Sequence, residues 1–277
     1  MRVGSNPLRS DRVNGLPAVM LGVVTHLPNE IGYHEKRYDV IRACLSSMKE
    51  RADYPHGFIV WDNGSIPKLK EWIKREIKPD FFIESRNVGK SIARACVVNM
   101  LPKETILAFG DDDILYLPNW LKAQVELLQH FPNVSSVSGS PIRTSFRWGC
   151  ENTIRWAKQN GELEVGRFLP DEWERDFAVS IGRDVKVHFD GTKRDVDYRV
   201  TYKGKRAFCV SHHCQFVGYA GRLAEAVEYD NAAMADEKPF DNALDALGLR
   251  LSTTQRLARH IGNVLDEEIK RHVTVYR

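Results

Sequence analysis

Apolar residues in the first half of the chain gather into short runs separated by polar turns, and the runs alternate in kind. β-rich stretches at 19–25, 57–61, 81–84, 105–109 and 134–137 alternate with stretches of helical spacing at 33–52, 67–76, 88–100 and 119–131. Pro67, just after Ser65, suits the first turn of a helix, and Pro118 precedes the apolar stripe Trp120, Leu121, Val125 and Leu128. This strand-helix rhythm predicts an α/β fold with a mostly parallel sheet and helices on both faces.

The rhythm breaks after Gly139. Amphipathic material spans Glu151–Lys158, a loop is expected near Gly161 and Gly166, and alternation runs from Val185 to Val210. Gly-containing turns at Asp190-Gly191 and Lys203-Gly204 suggest a meander or two hairpins there. From Arg222 the chain reads as helical, with a polar loop at Asp236–Asp241 and a segment Ser252–Asn263 leading into a charged last helix. Residues 1–15 have no periodicity. The division expected is an arm over 1–17, a first half over 18–145, and a second half of the same domain over 146–277, with a β-hairpin region at 185–210 and a C-terminal helix.

Composition narrows the class without naming a function. With 277 residues, 43% hydrophobic and 28% charged, the chain has the make-up of a globular protein with a sizeable core. A formal net charge of +3 is too small to argue by itself for nucleic acid or a membrane surface. Five cysteines, Cys44, Cys96, Cys150, Cys209 and Cys214, form no CxxC pair, which suits free thiols in a reducing, cytoplasmic setting. The longest near-continuous apolar run, Leu16–Val24, is far shorter than the roughly 20 residues of a spanning helix. Arg2, Arg9 and Arg12 precede it, but Asp11 interrupts them and no small-residue cleavage site follows, so a secretory leader is not expected.

Chemistry concentrates at strand ends. Ile106-Leu107-Ala108-Phe109 runs into Asp111-Asp112-Asp113, three adjacent carboxylates that repel one another unless compensated. Hard oxygen ligands at the carboxyl end of a strand suit Mg²⁺ or Mn²⁺ with a phosphorylated ligand, although a solvated turn capping a helix would also use Asp. Asp62 ends the second strand, where it is placed either for a ribose or base contact or for an Asx turn. Arg86-Asn87-Val88-Gly89-Lys90 opens a helix with a glycine and two cations, a place for phosphate or sugar contacts. Neither GxxxxGK[ST] nor a GxGxxG after the first strand is present.

The series Val23-Val24-Thr25, Val60-Trp61-Asp62-Asn63-Gly64-Ser65, Arg86-Asn87-Val88-Gly89-Lys90 and Phe109-Gly110-Asp111-Asp112-Asp113, followed by Pro118-Asn119-Trp120-Leu121, resembles family 2 glycosyltransferases of the GT-A fold. The likeness is good over about 18–145 and loose beyond. It implies a Rossmann-like nucleotide-binding sheet, a mixed β/helical acceptor-binding half, and a Mn²⁺- or Mg²⁺-dependent transfer of sugar from a nucleotide diphosphate sugar, a UDP-sugar first among them. Carried onto this chain, the donor contacts are Thr25, Asp62, Arg86, Asn87, Lys90, Asp111 and Asp112, with Asp62 on the nucleoside. Asp111 and Asp113 would hold the metal, and His260 in Arg259-His260-Ile261-Gly262 resembles the His-x-Gly ligand of such enzymes.

The resemblance further implies an acceptor base in an acidic motif, for which Asp236, Glu237 and Asp241 are the candidates, since the helix, Gly248 and strand that follow resemble those after the family's motif. Cys209, His212, His213 and Cys214 offer a zinc alternative, but their spacing is not that of a paired-ligand site, which favours a structural role. A sugar-phosphate nucleotidyltransferase fits less well, since its Gly-rich, Arg-containing loop is missing between Val24 and Glu30. A non-catalytic nucleic-acid-binding module would use Arg143, Arg147, Trp148, Arg155 and Trp156. For the transferase, the acceptor is left among a glycan, a small molecule and a hydroxymethylated DNA base.

Overall fold

The computed structural model describes residues 15–191, 196–227, 237–267 and 269–270. In the first half, strands and helices follow one another as β1 (Val19–Thr25), α1 (Arg37–Glu50), β2 (Gly57–Asn63), α2 (Pro67–Trp72), β3 (Phe81–Ser85), α3 (Lys90–Asn99) and β4 (Ile106–Asp111). They continue with β5 (Ile114–Tyr116), α4 (Trp120–His130) and β6 (Val134–Ser138). The second half holds α5 (Glu151–Asn160), β7 (Glu162–Gly166), α6 (Asp171–Ser180), α7 (Val185–Gly191), β8 (Asp197–Tyr202), β9 (Lys205–Phe208) and β10 (Gln215–Tyr219). It closes with α8 (Ala220–Val227), α9 (Lys238–Leu247), β11 (Leu249–Ser252) and β12 (Ala258–His260).

Among the described residues, ten strands form one sheet in the order β3-β2-β1-β4-β10-β6-β11-β9-β8-β7. β3, β2, β1 and β4 are mutually parallel; β10 then inserts antiparallel between β4 and β6, and the sheet is mixed beyond it. All seven residues of β1 are buried, because side chains alternate between two covered faces. Val19, Leu21 and Val23 join a core with α1, α2 and α4 residues such as Ile41, Leu69 and Val125. Met20 and Val24 join the opposite core with Val97 of α3, Leu223 of α8 and Leu244 of α9.

Two expectations for the second half need correcting. Residues 185–191 are the helix α7, not a strand: Asp184 accepts the Val187 N–H at 2.9 Å, and His188 is buried against Glu174 of α6 while Val187 points to solvent. Among the described residues of this region, 197–208 forms the hairpin, turning at Lys203 and Gly204, both with positive φ. The segment near Gly161 and Gly166 is the strand β7, which β8 pairs from far along the chain, with Arg199 bonded to Glu164 across the ladder. Most of the arm over 1–17, and much of the last helix, lie outside the described residues. No described helix is long and apolar enough to cross a membrane, and none of the five cysteines is in a disulfide.

Two residues proposed for a nucleic-acid surface serve the interior instead. Arg143, 3% exposed, bonds Asp197 through Nε at 3.0 Å and Asp171 through Nη1 at 2.8 Å. Trp156 packs on Phe131 and Tyr202, with centroids 6.2 and 5.2 Å away. Asp197, fully buried, also accepts the Phe168 and Leu169 N–H groups at 2.7 and 2.8 Å. Asp197→Ala therefore orphans two amides and takes the buried counter-charge from a guanidinium left with the half-exposed Asp171 and the Leu169 carbonyl, and is expected to lower stability by about 3–5 kcal/mol in urea unfolding.

Candidate active site

Parallel register brings the carboxyl ends of four strands to one edge. Thr25 of β1 stands opposite Asp62 of β2, Asp62 opposite Glu84 of β3, and Val24 opposite Asp111 of β4. A cavity of about 290 Å³ opens there, lined by His26, Asn63, Asn87, Arg37, Lys90 and the three carboxylates 111–113, with Val24, Tyr33 and His34.

The chain compensates its acidic triplet with two cations at helix starts. Arg37 of α1, 6% exposed, pairs with Asp112 and donates Nη1–H to Asp113 at 3.0 Å. Lys90, the first residue of α3, lies 2.9 Å from Asp111 and 3.0 Å from Glu237, and Arg94 reaches Glu237 at 2.9 Å. Burial would lower both cations, but their carboxylate partners outweigh it and hold Arg37 and Lys90 well above their ordinary ranges. Burial pushes Asp112 up, while at Asp113 the pull of His260 and Arg37 overcomes burial and holds the carboxyl low.

Asp113 has a second feature. Its Oδ1 is buried without a hydrogen bond, and His260 Nε2 stands 3.4 Å from it. The imidazole is fixed from behind: Ser180 Oγ donates to the Phe177 carbonyl at 2.7 Å, so it accepts the His260 Nδ1–H, also at 2.7 Å. That tautomer leaves the Nε2 lone pair facing a carboxylate oxygen, an arrangement relieved by a proton or a metal ion between them. Asp113 and His260 thus suit a divalent cation in donor type and orientation, and Asp111, paired with Lys90, in donor type.

The expected donor contacts divide. Asn87, Lys90, Asp111 and Asp112 line the cavity; Arg86 is exposed and outside its lining. Asp62 and Thr25 are fully buried and turned away. Asp62 accepts the Ser65 N–H at 3.1 Å and so shapes the turn through Gly64, whose φ of +86° and close approach to the Asn87 nitrogen suit glycine. The residues presented instead are their chain neighbours. His26 donates Nδ1–H to the Asn63 carbonyl at 2.8 Å and accepts from Asn87 Nδ2 at 3.5 Å, while its own N–H goes to Asp112 at 3.1 Å. His26, Asn63, Arg37, Tyr33 and His34 were missed by motif reading; strand alternation past Thr25 and Asp62 is the signal that reaches the first two.

Among the base candidates, Asp236 lies outside the described residues. Asp241, 4% exposed, accepts from Arg250, from His213 Nδ1 at 2.8 Å and from Trp148 Nε1 at 3.1 Å. Burial raises Glu237, but Lys90 and Arg94 prevail and hold it down at about 2. A smaller cavity of about 160 Å³ lies beside Asp241, lined by Arg147, Trp148, Arg183, His212, His213 and Phe177 among others. His212, His213 and Cys214 bring ligand-type atoms within 4.8 Å of one another. Burial keeps the Cys214 thiol well above its ordinary range and the His212 ring well below, and His213 is committed to Asp241, which describes packing better than a metal site.

Two outcomes follow. Asp62→Ala orphans a buried amide and is expected to cost about 1–3 kcal/mol in urea unfolding. Glu237, with a folded value of about 2 against an ordinary 4.5, adds stability above that ordinary value that is lost as pH falls from 4.5 towards 2. Denaturation over that pH window should show a smaller loss for Glu237→Gln than for the wild type.

Among solved structures, the mannosyltransferase PcManGT from Pyrobaculum calidifontis, in complex with GDP-Man and Mn²⁺, is 14% identical with a TM-score of 0.45, over 87% of this chain and 57% of that one. GalNAc-T7 with UDP, GalNAc and Mn²⁺ is 14% identical with a TM-score of 0.49, over 90% of this chain and 46% of that one. The chain thus spans about half the length of these solved chains. No curated protein matches its sequence. The model of the family described as "Glycosyl transferase family 2" matches residues 31–183, more than half of the sequence and including α1 and the acidic triplet, and the chain belongs to that family.

Proposed function

We propose that this protein transfers a glycosyl group from a nucleoside diphosphate sugar, a UDP-sugar being the first to test, to an acceptor hydroxyl, with Mn²⁺ or Mg²⁺ held by Asp111, Asp113 and His260. The observation that carries the reading is the pairing of an unshared, buried Asp113 oxygen with an imidazole whose lone pair Ser180 aims at it. A divalent ion bound there supplies positive charge to the leaving diphosphate.

The chain's own groups do the positioning. His26, Asn63 and Asn87 present an imidazole and two amides at the cavity wall, complementary to the polar edges of a base or ribose. Arg37 and Lys90 bring two fixed cations to the same cavity, where a diphosphate arriving from solvent meets charge already oriented by the fold. The smaller cavity beyond Asp241 is the acceptor side of this reading. Arg147 and Trp148 give it a cation and an aromatic face, which suit a ring-shaped or phosphate-bearing acceptor such as a glycan or a hydroxymethylated base.

Thermal unfolding with UDP, GDP, CDP and TDP, each with Mn²⁺, Mg²⁺ or EDTA, tests the donor site. Saturation at about 100 times Kd should stabilise the fold by about 2.7 kcal/mol for one nucleotide, in a metal-dependent way. Asp113→Asn should lose the metal dependence while keeping the unliganded melting point close to that of the wild type. No shift with any nucleotide would reject the proposal.

A further inference from the structure

The cavity beside Asp241 holds positive charge and polar atoms that its own walls leave unmatched. Its volume of about 160 Å³ is close to the roughly 150 Å³ that encloses one benzene molecule, so it has room for a single six-membered ring. Arg147 and Arg183 stand in the wall, and among the described residues neither meets a carboxylate. Their partners are neutral or titratable: Arg147 donates to the Gly191 carbonyl, and Arg183 Nη1 lies 3.3 Å from His188 Nδ1. Asp241, the carboxylate of this wall, is already balanced by Arg250 from outside the lining.

Two polar atoms of the same wall are unmatched as well. His212, 3% exposed, has a buried Nδ1 with no hydrogen-bond partner, while its Nε2 lies 3.8 Å from Cys214 Sγ. Ser145 Oγ is buried and unpartnered too. Such atoms cost stability unless a bound group meets them. The rings of Trp148 and Phe177 complete the wall with apolar faces. A guanidinium presents a planar fork of donors that matches a carboxylate or a phosphate. A neutral ring would leave both arginine charges without a counter-ion, and an apolar one would leave His212 and Ser145 unmatched as well.

This wall backs onto the donor site. Phe177 packs edge-on against both His212 and His260, with centroids 5.2 and 5.6 Å away, and His260 Nε2 is 3.4 Å from Asp113. Beside it, the Cys214 carbonyl accepts the Asp111 N–H at 2.8 Å. One aromatic ring therefore separates the cavity lining from the His260–Asp113 pair.

We propose that this cavity receives the acceptor as one six-membered sugar ring carrying an oxyanion, a carboxylate or a phosphate, held by Arg147 and Arg183; this rests on the transferase reading given above. His212 Nδ1 and Ser145 Oγ meet the ring hydroxyls, and Trp148 and Phe177 cover its C–H face.

Methyl glucoside, methyl glucuronide, methyl glucoside 6-phosphate and inorganic phosphate are the probes, titrated by calorimetry with and without UDP and Mn²⁺. The proteins are the wild type, Arg147→Met and Arg183→Met, each checked for an unchanged unliganded melting point. One acidic glycoside should bind the wild type about 10-fold or more tighter than the neutral one, and each arginine variant should lose about 10-fold. Which acid binds separates carboxylate from phosphate. That glycoside should also raise nucleoside diphosphate release from UDP-glucose or GDP-mannose with Mn²⁺ above the rate with water, and the variants' loss should fall in KM more than in kcat. Equal affinity for neutral and acidic glycosides, affinity unchanged in both variants, inorganic phosphate binding as tightly as either acid, or binding with no rise in release would overturn the inference. A wild type without metal-dependent nucleotide binding would instead overturn the transferase reading beneath it, whatever the glycoside affinities.

Discussion

Three carboxylates in succession at the end of a buried strand are the constraint around which the rest of the site is arranged. Asp111, Asp112 and Asp113 cannot all stay ionised in a shielded place without opposite charge nearby. The fold brings that charge from elsewhere in the sequence, with Arg37 opening α1 and Lys90 opening α3. Both helices must therefore start at the sheet edge where β4 ends. Lys90 carries the constraint further, because its second partner is Glu237, which leads into α9. One cation thus couples the triplet to the second half of the chain.

The second half is organised by buried polar groups more than by strand rhythm. Arg250 of β11 is fully buried, and donates to the Gly149 carbonyl, to Ser211 at 2.7 and 3.1 Å, and to Asp241. It gathers four separate segments at one guanidinium, and a charge so placed is tolerated only with all these partners present. Asp245 of α9 caps α5 from outside, accepting from the Asn152 and Thr153 N–H groups at 2.9 and 3.2 Å. Glu174 of α6 does the same for the turn that begins at Arg143, whose N–H it accepts at 2.8 Å. These contacts set where Trp148, His213 and Asp241 stand, and so where the smaller cavity lies.

Motif and pattern made the first half legible. Strand and helix periods over 19–137 lie within a few residues of the observed elements, because local composition and two-sided burial point the same way there. The triplet and Lys90 were legible too, since adjacent carboxylates and a glycine-led helix start carry their chemistry in the sequence. The first part of the hairpin region expected at 185–210 failed for the converse reason: Val185 and Val187 alternate with polar residues, but Asp184 and the Glu174–His188 contact stabilise a helix.

What the sequence determined by itself was the class of fold, the acidic strand end and the kinds of residue gathered around it. Tertiary structure alone decided which of two neighbours faces the cavity. Asn63 and His26 face it, while Asp62 and Thr25 turn inward, because successive side chains of a strand point to opposite sides and the turn at Gly64 consumes the Asp62 carboxylate. Tertiary structure also decided that Asp241 is saturated by Arg250, Trp148 and His213, since three donors separated by up to about 100 residues meet it only after folding. Spacing along a chain shows which groups are available; only packing shows which of their lone pairs remain free.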